Sequence, residues 1–179
     1  MNTWIALFRG INVGGNNILP MAELRNELKS MGCTNVRTYI QSGNVVFESS
    51  ARRPEPLAKK IALQVDSSHG FRPTVIVLTG PDLQMAIDDT PFPDAEQLLK
   101  TLHFFFLSQP AFSADIQGLT AAQSGSEQYQ LTDQVFYLHA PDGLGRSKLA
   151  ARAEKLLGVS TTARNFRTVS KLLEMVEEV

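Results

Sequence analysis

NVRTYIQSGNVVFES, residues 35–49, decides how this chain folds. Two runs rich in β-branched and aromatic residues, 35–41 and 44–48, are joined through Ser42-Gly43, which is a hairpin signal. Upstream, residues 20–31 carry Met21, Leu24, Leu28 and Met31 at helical spacing. Pro20 suits a first turn there and Gly32 a C-terminal cap. Downstream, residues 56–68 place Leu57, Ile61 and Val65 on one helical face, and Gly70 ends the pattern. Short apolar runs at 3–8 and 74–78 read as buried strands. The order is strand, helix, strand, strand, helix, strand, which is the ferredoxin-like split βαβ pattern.

The pattern then starts again. Residues 81–88 read as a short helix, and TPFPD, 90–94, as a stiff linker. A strand is expected at 102–107, a weak helix at 113–121 and a hairpin of 127–131 with 134–139 across Thr132-Asp133. A helix at 147–157 carries Leu149, Ala153, Leu156 and Leu157 and closes at Gly158, with Ser147 as its cap. This order resembles the first half with its last strand missing or replaced. The tail, 163–178, reads as an amphipathic helix with Phe166, Val169, Leu173 and Val176 on one face and Thr161 or Thr162 as cap. The expected fold is therefore α+β: two ferredoxin-like halves with antiparallel sheets, residues 1–80 and 81–179, the second modified at its C-terminus by an added helix.

Composition narrows the function classes. Over 179 residues the apolar share is 43% and the charged share 20%, a globular mix. A net charge of -1 provides no global field for nucleic acid. HFFFL, 103–107, sends Phe104 and Phe106 one way and Phe105 the other, as in a strand buried on both faces rather than a base-stacking platform. The single cysteine, Cys33, cannot form an internal disulfide and reads as a small buried hydrophobe in a reducing compartment. With no signal-peptide pattern at the start and no membrane-length apolar run, a cytoplasmic location is expected. His69, His103 and His139 lack metal-ligand spacing, so no metal is expected, and no cofactor is indicated.

The chemistry-bearing residues lie in glycine-rich loops. In a βαββαβ unit the first two strands run parallel, so the 9–19 loop and the 41–44 turn fall at one edge of the sheet. That edge gathers Arg9, Asn12, Gly14, Gly15, Gln41, Ser42 and Asn44. Gly14 and Gly15 allow positive φ and close approach to the backbone, and Arg9 offers a fork to phosphate or carboxylate. Tyr39, two residues before Gln41, is expected on the same side of its strand. DGLGRSK, 142–148, places Arg146 and Lys148 beside a helix N-terminus, and TTARNF, 161–166, does the same for Arg164. Cations at the positive end of a helix dipole are unfavourable by themselves, which hints at an anion.

LFRGINVGGNNILPMAEL (7–24), the hairpin at 35–49, YLHAPDGLGRSKL (137–149) and TTARNFRTVSKL (161–172) occur in this order. Together they resemble a bacterial family known as domain of unknown function 1697. Phe166 stands where that family usually has tryptophan, which removes an N–H donor, and Arg167 where it often has asparagine. The resemblance implies two ferredoxin-like halves and no activity.

Three functional readings follow. The first is binding of a small anionic ligand, phosphate- or nucleotide-like, by the loop residues, with Arg146, Lys148 and Arg164 joining if the halves pack in an inverted sense. The second is a metal-independent enzyme on a phosphorylated or acyl substrate. The third is an RNA- or protein-interaction module whose loops are purely structural. Oligomeric state stays open.

Overall fold

The computed structural model describes residues 1–178. The chain divides into two units: Met1–Gln84 with the residues from Lys171 onward, and Met85–Ser170.

In unit 1, β1 (Asn2–Arg9), α1 (Met21–Ser30), β2 (Thr34–Tyr39), β3 (Asn44–Ser49), α2 (Pro54–His69) and β4 (Thr74–Leu78) follow the expected order. The sheet order is β2-β3-β1-β4, and every pairing is antiparallel. Alternate residues of β1, Trp4, Ala6 and Phe8, pack with Leu24 and Leu28 of α1 and Ile61 and Val65 of α2. Each such side chain contributes about 1.5–3 kcal/mol when fully buried. Ile5 and Leu7 on the opposite face are buried as well, as expected of a continuous apolar run. Helix α2 begins two residues earlier than its periodicity indicates, because Pro54 fits the first helical turn. It ends at Gly70, in the left-handed conformation at φ 75°.

Helix α3 (Gly80–Asp88) leads into β5 (Leu102–Leu107), α4 (Ile116–Ala122), β6 (Gln128–Leu131), β7 (Val135–His139), α5 (Lys148–Leu157), β8 (Thr161–Asn165) and α6 (Phe166–Glu177). The second sheet has the order β6-β7-β5-β8, again antiparallel throughout. Both halves are thus complete βαββαβ units, and the α+β, two-half expectation holds.

One correction concerns the last strand, which is neither missing nor replaced. Residues 161–165 form β8 and pair with β5, Phe104 opposite Arg164 and Phe106 opposite Thr162. Periodicity extended the tail helix too far upstream because TTARN is too short to declare a period of its own. The hydrogen-bonding edge of β5 claims it instead. The cap changes with it: Asn165 Oδ1 accepts from the Thr168 N–H at 3.0 Å, while Thr161 and Thr162 are buried in the strand. The fully covered face of α6 is Phe166, Val169, Leu172 and Met175, with Leu173 and Val176 only half-buried. From Lys171 on, α6 belongs to unit 1. There Arg37 of β2 donates to the Met175 carbonyl and pairs with Glu178 at 3.2 Å.

β5 is buried along its whole length, as its three phenylalanines require. Phe105 joins Leu119, Phe136, Leu149 and Leu156 under α4 and α5. His103 is buried in the same strand, its ring Nδ1 3.1 Å from the Thr101 carbonyl. Burial is the main cause of its lowered pKa; the Thr101 bond opposes that effect and His139 adds to it slightly. The unfolded chain therefore takes up a proton on this ring before the native one does. His103 costs no stability above its unfolded value, about 6.5, and destabilises the fold as pH falls below it. Urea unfolding between pH 7 and 5 is expected to show a steeper stability loss in wild type than in His103→Gln; equal slopes would refute the assignment.

Among the described residues no helix is long and apolar enough to cross a membrane.

Candidate functional site

The two loops expected at one edge of the first sheet do meet there. The Phe8 N–H donates to the Gly43 carbonyl at 2.8 Å. Asn12 locks the loops together: its Nδ2 donates to the carbonyls of Leu19 (2.9 Å) and Gln41 (3.0 Å), and its Oδ1 accepts the Leu19 N–H at 2.8 Å. Asn17 Nδ2 holds the Gly10 carbonyl at 2.9 Å. Within this frame Val13 and Asn16 bridge across Gly14 and Gly15, which stand at φ 59° and 78°. Two successive positive-φ residues are the pattern of a type I′ hairpin turn. The space where their Cβ atoms would be is open.

Asn44 is fully buried, and its Nδ2 donates to the Tyr39 carbonyl (3.1 Å) and to Ser42 Oγ (2.9 Å). Arg9, Gly14, Gly15, Gln41 and Ser42 are exposed. β2 ends at Tyr39, earlier than the β-rich run suggests. Ile40 adopts φ 48°, so the strand alternation that would put Tyr39 and Gln41 on one side does not reach Gln41.

In unit 2, Ser147 caps α5 as expected, its Oγ accepting the Ala150 N–H at 2.9 Å. Arg146 and Lys148 on either side are exposed. Arg164 is not in a helical first turn but in β8, and it is buried. Its Nη1 donates to Thr162 Oγ1 (2.9 Å) and to the Ala163 carbonyl (2.8 Å). Burial lowers its pKa to about 10, which leaves the guanidinium charged at neutral pH.

The sequence reading passed over a further group of residues. At the opposite edge of the first sheet, where Ser49 pairs with Asn2, lies a cleft of about 450 Å³. Arg52, Arg53 and Lys60 line it together with Ser49 and Ser50. Its signal in the sequence was SSARRPEP, 49–56: hydroxyls and paired arginines directly before a helix start. That is the same juxtaposition noted at Arg146 and Lys148, without the glycines that drew attention there.

No curated protein matches the chain. Among solved structures, the conserved bacterial protein SP0830 from Streptococcus pneumoniae is similar over 97% of this chain and 98% of its own, at 23% identity and a TM-score of 0.67. That likeness establishes the fold in both halves. Residues 1–137, which hold the RGINVGG loop and the QSGN turn, match the family described as "Protein of unknown function (DUF1697)". The Arg146 and Arg164 blocks lie beyond the matched residues. With three quarters of its length so matched, the chain belongs to the DUF1697 family.

Proposed function

We propose that this chain binds a small anionic ligand, phosphate- or nucleotide-like, at the loop edge of unit 1. Backbone strain at Ile40 carries the reading. A β-branched residue at φ 48° is a genuine outlier, and this one is 52% exposed, so packing gives no reason for it. The left-handed conformation costs about 1–2 kcal/mol. Strain of this kind persists where the surrounding structure holds the backbone for another purpose, and it clusters at ligand clamps. Here it sits between β2 and the exposed Gln41 and Ser42, next to the Gln41 carbonyl by which Asn12 ties the two loops together.

Each residue then has a role. Arg9 meets the ligand charge, and the N–H groups of Gly14 and Gly15 form the floor of an anion nest. Gln41 and Ser42 supply polar contacts, while Asn12 and Asn44 position the loops. In unit 2 the same ligand class suits Arg146 and Lys148 at the start of α5, with Arg164 as a buried cation in β8.

The test is titration of pyrophosphate into ¹⁵N-labelled protein, following the amides of Gly14, Gly15 and Gln41. These resonances are expected to move saturably in wild type. Arg9→Gln should weaken the affinity by about tenfold or more, the loss of one charge-assisted fork. Ile40→Asn, which suits positive φ, should raise the melting temperature and keep the loop conformation and the binding. Unmoved amides, or equal affinity in Arg9→Gln, would overturn the reading.

A further inference from the structure

We infer that the cleft at the opposite edge of unit 1 is a second binding site, built for a phosphomonoester that carries an apolar group. The cleft stands between the α1–β2 connection, which contributes Met31 and Cys33, and the segment from Ser49 into the first two turns of α2. Its volume, about 450 Å³, is within the usual range for small-molecule sites.

No carboxylate is among the residues that line the cleft. Among the described residues Arg52, Arg53 and Lys60 make no ion pair with a carboxylate and no side-chain hydrogen bond. Glu48, just before Ser49, accepts through Oε2 from Thr34 and Asn35, at 3.1 and 2.7 Å, and does not line the cleft. Three like charges lining one cleft repel one another, and an anion bound among them relieves that repulsion. Arginine forks and a lysine point charge are the side chains that recognise phosphate oxygens.

The start of α2 adds its dipole but few donors. Pro54 and Pro56 remove two of its first N–H groups, so recognition falls to the side chains rather than to the backbone. On the floor, burial raises the pKa of the Cys33 thiol, a bond from Ser49 and the charge of Lys60 only partly offsetting it. The thiol stays neutral and puts no negative charge beneath an anion.

The remaining lining is apolar: Met31, Ala51, Pro56 and Leu57. Pro56, Leu57 and Lys60 fall on one face of α2, which sets the cation at the margin of an apolar wall. Inorganic phosphate would satisfy the cations and leave that wall wet. A monoester with an aromatic or aliphatic body covers both.

The experiment compares inorganic phosphate with phenyl phosphate, by amide chemical-shift titration of wild type and of the Arg52→Gln/Arg53→Gln/Lys60→Gln variant. These positions are exposed, so the variant is expected to fold, and its own melting curve checks this. Lys59→Gln, on α2 but outside the lining, controls for net charge. Both probes should move the amides of Gly32 and of residues 50–53, with phenyl phosphate bound about tenfold more tightly through its buried ring. Read at the cleft amides, the triple variant should lose at least about tenfold in affinity for either probe, and Lys59→Gln should lose none. Equal affinity for the two probes would overturn the apolar part of the assignment. Unmoved cleft amides, or a triple variant that binds like wild type, would overturn the site itself. Shifts confined to Gly14 and Gly15 would leave the loop-edge reading standing alone.

Discussion

Gly43→Ala is expected to destabilise the protein by about 3 kcal/mol and lower its melting temperature by about 6–12 °C. Two independent costs combine. Gly43 stands at φ 74°, where a side chain is strained wherever it points. A Cβ there would also come within 2.6 Å of Phe8 Cβ and 2.7 Å of Ile11 Cδ1. Phe8 is on β1 and cannot retreat without breaking its 2.8 Å bond to the Gly43 carbonyl. Gly14→Ala provides the comparison. Its φ is 59°, but nothing lies within 4 Å, so only the conformational cost of about 1–2 kcal/mol remains. Thermal melts of the two variants decide the matter. Similar losses would mean that the 41–44 turn is not packed on β1 as described.

Phe104→Ala is expected to cost about 3–5 kcal/mol, the range for emptying a phenylalanine site in a core. The ring is wholly buried. It stacks on Phe166 at 5.7 Å and 12° and on Phe106 at 6.2 Å, and it meets Tyr137 edge-on at 5.2 Å. Tyr137 is fixed by its own hydroxyl, which donates to the Ala86 carbonyl at 2.7 Å, so the cluster has little freedom to collapse into the space. Urea unfolding measures the loss. The same variant separates two meanings of an aromatic strand. A stacking platform for nucleic acid would lose binding and keep its stability, because its rings must be open to bases. A stability change below about 1 kcal/mol would therefore argue for exposed rings and against the packing described.

Much of this was legible from residue order. The hairpin at Ser42-Gly43 between two helical patterns carries the βαββαβ topology of unit 1. That topology alone predicts that the 9–19 loop and the 41–44 turn share an edge. Asn12 then makes the prediction concrete by holding Gln41 and Leu19 at once. Ser147 as the cap of α5 and Gly70 as the end of α2 were equally readable, because caps and left-handed termini depend on one or two residues and their immediate neighbours.

The failures have a common cause in partners distant along the chain. TTARN carries no period of its own, and it becomes β8 because β5 presents an unfilled edge some 60 residues earlier. Arg164 moves with it from a helix start to a buried strand position. Ile40 reads as a β-former and instead stands in the left-handed region, at φ 48°. The cationic cleft escaped because Arg52 and Arg53 are joined to Met31 and Cys33 only through space. Local chemistry, such as hairpins, caps and amphipathic faces, was determined by the sequence itself because each is set by interactions within a few residues. The fourth strand of the second sheet, the burial of Arg164 and the gathering of three cations around one cleft were decided by tertiary structure, since each depends on which distant edge, ring or loop is brought alongside.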